Sequence, residues 1–154
     1  MAPEDVISVE GRAHLIHKPE NFKTGKGLVV IDKVMIDSSA YSVHLIFEGR
    51  KLTQVNVSSV EEKNDILNTD CFRSLDSLLT QKYGSPVYRE KNINAIWNVR
   101  STSIELVYLY TPGIYSQIIV KYTPLSETVS KTSDRIRGSG KGNTSPHTKT
   151  CGTL

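Results

Sequence analysis

The sequence predicts an α+β fold: an antiparallel β-sheet with one main α-helix packed on one face. Two observations carry this prediction. Several segments alternate apolar and polar residues at period two, as half-buried strands do, and one longer segment repeats its apolar residues at spacings of three and four, as an amphipathic helix does. Short turns join the predicted strands, which favours antiparallel pairing. The 154 residues, 38% hydrophobic and 23% charged, suffice for one globular domain with its own core.

The clearest strand in the first half covers residues 41–47, where every second side chain is apolar. Residues 52–57 resume an extended pattern, and Gly49 between them supplies the positive φ that a tight hairpin turn needs. Upstream, β-branched and apolar residues predict three further strands, over residues 27–31, 13–17 and 6–9.

The main helix is predicted over residues 69–83. Its apolar stripe consists of Phe72, Leu75, Leu79 and Tyr83. Thr69 or Asp70 can cap the free amides at its start, and Gly84 can take the left-handed position that ends it. Because four large side chains must leave water, this helix is expected to lie on the sheet.

Three strands follow the helix, over residues 95–99, 103–110 and 115–122. Pro112 and Gly113 occupy the two central positions of a type II turn between the last two strands. The predicted domain therefore ends in a β-hairpin.

The composition changes after residue 123. Residues 124–154 number 31, of which 15 are Ser, Thr or Gly, and such a segment cannot bury enough apolar surface to offset the entropy of ordering it. We predict one α+β domain over residues 1–123 and a disordered, basic tail over residues 124–154. The tail carries the whole net charge of +3. Its cations are dilute and no aromatic residue is interleaved, which does not favour nucleic-acid binding.

The motifs of the second half stand in a distinctive order. They are Phe72-x-x-Leu75-x-x-x-Leu79-x-x-Lys82-Tyr83-Gly84-x-Pro86, then Trp97, then Thr102-x-Ile104-x-Leu106, then Ile118-x-Val120-x-Tyr122; Phe47, Gly49, Leu52 and Val55 precede them. This order resembles small, largely uncharacterised bacterial α+β proteins, often exported or lipid-anchored, over residues 41–123. The resemblance implies a fold and no reaction. The exported members carry a leader or an anchoring N-terminal Cys, and this chain shows neither. We therefore expect a cytoplasmic location if Met1 is the natural start, and a periplasmic or envelope location if a leader was removed.

The sequence predicts no catalytic residues, no metal site and no cofactor. His14 and His17 are three apart, so on a strand they point to opposite faces. The glycine-lysine clusters at residues 24–27 and 138–145 lack the Ser or Thr that directly follows the lysine in a P-loop. Ser, His and acidic residues occur without a nucleophile elbow.

We interpret Cys71 as a structural residue and the modification motifs as chance matches. Cys71 is expected to be a buried spacer in the helix, and Cys71 with Cys151 is a poor disulfide framework. Cys151 stands at a prenylation position, but the residues after it are not aliphatic. Asn56 and Asn143 begin formal glycosylation sequons, which a protein of bacterial type would not use.

The function expected from the sequence is protein binding. The chain lacks an apolar run of membrane-spanning length, and tyrosines crowd the last strands. Tyrosine suits recognition surfaces because it offers contact area and a polar tip at low entropy cost. We expect Tyr108, Tyr110 and Tyr115 to bind a protein partner in a non-enzymatic binding or inhibitory module, of toxin-immunity or enzyme-inhibitor type. The alternative is an envelope-associated accessory or structural protein.

Overall fold

The computed structural model describes residues 1–36, 38–60 and 65–125. Within them the chain forms two helices and nine strands. The helices are α1 (Pro3–Val9) and α2 (Asp65–Tyr83); the strands are β1 (Ala13–Leu15), β2 (Asn21–Phe22), β3 (Gly25–Ile36), β4 (Ser39–Glu48), β5 (Lys51–Ser59), β6 (Tyr88–Glu90), β7 (Asn94–Val99), β8 (Thr102–Thr111) and β9 (Tyr115–Pro124).

The nine strands form one sheet in which every pairing is antiparallel, and this confirms the predicted fold class. The order across the sheet is β1-β3-β4-β5-β9-β8-β7-β6, and β2 pairs with β3 outside this path. Because directly paired residues point to the same face, the register defines rows of side chains that cross the sheet. One such row is apolar: Val29, Leu45, Val55, Tyr122, Ile104 and Trp97.

Helix α2 covers one half of this apolar face. Its buried side chains Phe72, Leu75 and Leu79 pack with residues of β7, β8 and β9, and Tyr83 is half-buried at the edge of the same core, as predicted. The Trp97 indole donates a hydrogen bond to the Gly84 carbonyl at 2.9 Å, which ties the end of the helix to β7.

The start of α2 differs from the prediction. The helix begins at Asp65, so the proposal that Thr69 or Asp70 caps it is wrong. The Thr69 hydroxyl instead donates to the Asp65 carbonyl at 2.8 Å, within the helix. The sequence pattern missed this turn because Ile66 and Leu67 do not belong to the buried stripe.

Residues 6–9 form helix and not the predicted strand. Pro3 stands in the first turn, where its missing N–H costs nothing, and the Asp5 carboxylate accepts a hydrogen bond from the Ala2 amide at 2.7 Å. The apolar residues that suggested a strand serve a different purpose, since Val6 packs on Ala13 and Val29. Helix α1 therefore covers the other half of the same apolar face.

The tight turns agree with the sequence. Gly49 has φ +61°, Gly84 +86° and Gly113 +69°, and the Ile114 amide donates to the Thr111 carbonyl at 3.0 Å across the Pro-Gly turn.

The end of the predicted domain needs a small correction. Strand β9 runs to Pro124, and the Leu125 amide donates to the Ser101 carbonyl at 2.9 Å, so ordered pairing passes the predicted boundary of residue 123. The rest of the predicted tail, residues 126–154, lies outside the described residues.

Cys71 is buried in the core under α2, as expected of a spacer. The prediction that Cys71 and Cys151 make a poor disulfide framework depends on the position of Cys151. Cys151 lies outside the described residues.

Neither α1 nor α2 is long and apolar enough to cross a membrane, within the part of the chain that the structure describes.

Candidate functional site

The tip of the β8–β9 hairpin meets the beginning of α2 at one end of the sheet. The Tyr110 hydroxyl donates a hydrogen bond to the Asp65 carboxylate at 3.0 Å. The Asn68 amide, which is almost fully buried, donates to the Ser116 hydroxyl on β9. These two bonds join three elements, so the hairpin tip is held in a fixed position relative to the helix.

Tyr108 packs against this junction and contacts residues of both the hairpin and α2. Its ring stacks on Tyr110 with centroids 5.7 Å apart and contacts Phe72 of α2 at 6.5 Å. Its hydroxyl lies 3.1 Å from the Ser116 hydroxyl. Tyr108 is half-buried and satisfied within the chain, so its ring positions Tyr110 more than it offers contact area to a partner.

Around this junction the chain exposes a group of large apolar and aromatic side chains. We call them the hairpin-tip surface; they are Ile66, Leu67, Leu109, Tyr110, Ile114 and Tyr115. Ile114 at the turn is 83% exposed and Ile66 on the first turn of α2 is 75% exposed. Scattered exposed apolar residues are ordinary, whereas several near one end of a fold make that end a candidate interaction site.

The three tyrosines predicted as binding residues are thus divided. Tyr110 faces the helix side of the sheet, and Tyr115, paired with Thr111, points to the other side. Of the three predicted tyrosines, Tyr110 and Tyr115 are exposed and Tyr108 is half-buried. The Tyr115 hydroxyl donates to the Gln117 side chain. The surface therefore wraps around the hairpin and does not lie on one face.

Two ionisable groups on this surface stay neutral at ordinary pH. The hydrogen bond to Asp65 raises the pKa of Tyr110, and burial raises the pKa of Tyr115. Both phenols therefore remain hydrogen-bond donors, with apolar rings beside them.

Sequence reasoning missed Ile66 and Leu67. Their signal was present, since both are apolar and neither falls on the stripe that Phe72, Leu75 and Leu79 define. Apolar residues off a buried stripe are candidates for exposure once the helix is known to extend that far.

The face of the sheet away from the helices is largely polar. One row of paired residues crosses eight strands there: His14, Val30, His44, Asn56, Lys121, Glu105, Ile96 and Tyr88. Glu105 accepts a hydrogen bond from Asn94 at 3.1 Å and pairs with Lys121 at 3.7 Å. These contacts satisfy side chains within the sheet and bring no reactive pair together.

A small cleft of about 350 Å³ lies at the β1 edge of this face, and its lining includes His14, His17 and His44. The Asp32 carboxylate lies between His14 and Ser42. The His14 Nε2 atom is 3.4 Å from this carboxylate, and the Ser42 hydroxyl donates a hydrogen bond to it at 3.3 Å. A hydrolytic triad needs the histidine between serine and acid, so that it can take the serine proton. Here the acid is central, and this order does not activate Ser42.

The described residues contain no group of three potential metal ligands. Thr24 lies in the β2–β3 hairpin turn and Gly25 is the first residue of β3. Asn56 is only 6% exposed, and its side-chain oxygen accepts a hydrogen bond from the Gln54 side-chain amide. The second glycine-lysine cluster, the Asn143 sequon and the Cys151 motif lie outside the described residues.

Comparison with family models, with curated proteins and with solved structures gives no match for this chain.

Proposed function

We propose that this chain is a non-enzymatic protein-binding module that engages its partner through the hairpin-tip surface. The observation that carries the proposal is the exposure of six large apolar and aromatic side chains at the junction of the hairpin and α2. Aromatic and apolar residues with few charges are the composition of interface centres, where partners exclude water from each other.

The junction also supports binding by being ordered in advance. The bond from Tyr110 to Asp65 and the bond from Asn68 to Ser116 fix the hairpin against the helix. A surface that is already in its bound shape loses less conformational entropy on association, so more of the contact energy appears as affinity.

The chemistry of the surface defines the kind of partner. Ile114 at the turn is the most exposed residue of this surface and suits an apolar pocket, while the Tyr110 and Tyr115 phenols offer polar tips at its border. A narrow hairpin that presents one apolar residue at its tip fits a cleft in the partner. The proposal therefore includes an inhibitory role of enzyme-inhibitor or toxin-immunity type, in which the hairpin occupies such a cleft.

The test is partner capture with matched variants. Wild-type protein, Ile114→Ser, Tyr115→Ala and a control, Val87→Ser, are immobilised and exposed to a bacterial lysate, and affinity for the captured protein is then measured by titration. Val87 is exposed to a similar degree but lies outside the surface, between α2 and β6. We expect Ile114→Ser and Tyr115→Ala to weaken binding by about tenfold or more each, and Val87→Ser to bind as wild type.

Tyr110→Phe completes the series, because it keeps the ring and removes only the bond to Asp65. We expect an intermediate loss of affinity if the position of the hairpin matters. Equal affinity for wild type, Ile114→Ser and Tyr115→Ala would refute the assignment of the surface.

A further inference from the structure

A second site candidate lies at the opposite end of the sheet from the hairpin tip, and it follows from the strand pairing. Strands β5 and β9 pair only from Val55 with Tyr122 to Ser58 with Ile119. Beyond Tyr122, β9 continues to pair with β8 as far as Pro124 with Thr102, while residues 51–54 of β5 stay with β4. The sheet therefore splits between β5 and β9, and the split opens a cleft of about 770 Å³.

The floor of this cleft is apolar. Leu52 and Val55 belong to the edge of the core under α1, and Tyr122 belongs to the edge of the core under α2. Pro124 and Leu125 complete the wall on the β9 side. The cleft thus lies between the two cores, on the face that carries both helices, and its volume falls within the range of about 300 to 1,000 Å³ usual for small-molecule sites.

A cation stands at this cleft. Arg100, in the β7–β8 turn, lines it, and none of the described lining residues is Asp or Glu. Within the described part of the chain, the Arg100 side chain makes no ion pair or hydrogen bond. Its backbone has φ +54°, a left-handed conformation that glycine or asparagine adopts with less strain. The two-residue turn between Val99 and Thr102 imposes this conformation and holds Arg100 at the mouth of the cleft.

We propose that this cleft binds a long-chain carboxylate of fatty-acid type, with the hydrocarbon chain along Leu52, Val55 and Leu125 and the carboxylate on the Arg100 guanidinium. Guanidinium and carboxylate groups match as a bidentate pair, and no acidic side chain among the described lining residues competes for this charge. Burial, with a smaller contribution from Tyr83, raises the pKa of Tyr122, so that phenol stays neutral and does not repel the ligand. This site is separate from the hairpin-tip surface, and either assignment can fail without the other.

The experiment uses the full chain and a dansyl-labelled fatty acid whose fluorescence rises on binding. Palmitate and the neutral alcohol hexadecanol then compete with the probe, so that carboxylate recognition is separated from apolar contact. We expect palmitate to bind about tenfold or more tightly than hexadecanol, since the charge-assisted hydrogen bonds belong to palmitate alone.

Three variants assign the effect to residues. Arg100→Gln is expected to weaken palmitate about tenfold and to leave hexadecanol unchanged. Lys33→Gln is the matched control, because Lys33 is also an exposed cation at positive φ, +54°, and does not line the cleft. Leu125→Ser should weaken both ligands.

The proposal is overturned if the full chain does not bind the probe, or if palmitate and hexadecanol compete equally, which would indicate an apolar occupant. A loss in Lys33→Gln as large as in Arg100→Gln would also overturn it, since it would show a nonspecific effect of charge. Unchanged binding of both ligands by Leu125→Ser would exclude the cleft.

Discussion

Replacing Gly25 by alanine should be the most damaging single-methyl change in the β3–β4 region. Gly25 opens β3 at φ +143°, and a Cβ atom there would lie 2.3 Å from the Phe47 carbonyl oxygen and 2.6 Å from its carbonyl carbon. Both atoms belong to the backbone of β4, so no side-chain rotation can relieve the contact. The strands would have to separate next to Phe47, which is buried in the core under α1.

The size of the effect follows from two separate costs. A positive φ costs an L-residue about 1 to 2 kcal/mol, and overpacking of a dense region costs about 1 to 3 kcal/mol. Reduced entropy of the unfolded chain offsets about 0.4 to 1 kcal/mol. We therefore expect Gly25→Ala to lower the free energy of unfolding by about 2 to 4 kcal/mol, a large part of the roughly 5 to 15 kcal/mol typical of a domain.

Two other glycines give matched controls. Gly49 has φ +61° with nothing within 4 Å of its built Cβ, so Gly49→Ala has the conformational cost alone, about 1 kcal/mol. Gly11 has neither a positive φ nor a neighbour within 4 Å, so Gly11→Ala should be neutral or slightly stabilising. Urea unfolding followed by circular dichroism and by Trp97 fluorescence measures all three. Equal losses for Gly25→Ala and Gly49→Ala would refute the close approach of the β4 backbone to Gly25.

Two further predictions concern the core under α2. Trp97→Phe loses the hydrogen bond to Gly84 and part of a ring that is 1% exposed, so it should lower the free energy of unfolding by about 2 kcal/mol. The unfolding is followed by circular dichroism, because the variant lacks the chain's single tryptophan. A change below about 0.5 kcal/mol would contradict the reasoning. Tyr122→Phe tests the pH dependence of stability. The pKa of Tyr122 in the folded state is raised above 10.0, chiefly by burial. Ionisation of Tyr122 therefore leaves stability unchanged at pH values below 10.0 and lowers stability as the pH rises above that value. The phenylalanine variant should therefore lose less stability between pH 8 and 11 than wild type, and identical pH profiles would count against the buried phenol.

The local elements were well predicted where one signal dominated. The alternation at residues 41–47 correctly predicted β4, and the stripe through Phe72, Leu75 and Leu79 correctly predicted α2. Both patterns follow directly from strand and helix geometry. The pattern failed at residues 6–9, since Pro3 and Asp5 favour a helix start while the apolar residues alone suggested a strand. A short apolar run fits either structure, and packing on β3 decides between them.

The candidate site was only partly accessible to sequence reasoning. Tyr110 and Tyr115 could be proposed as binding residues from composition, and the structure leaves both exposed on the hairpin. Ile66 and Leu67 join them only because α2 begins four residues before the predicted start and its first turn meets Tyr110. That meeting brings together residues 45 positions apart, which no local pattern encodes.

The sequence alone determined the fold class, the main helix with its buried stripe, and the Pro-Gly hairpin, since each depends on residues near one another in the chain. The tertiary structure alone decided which strands pair when no hairpin turn joins them. The partnership of β5 with β9 joins strands separated by α2 and three other strands, and its early end at Val55 and Tyr122 opens the cleft that Arg100 lines. Strand alternation records which residues face the core but not which strand lies alongside, because that choice depends on the packing of the whole sheet.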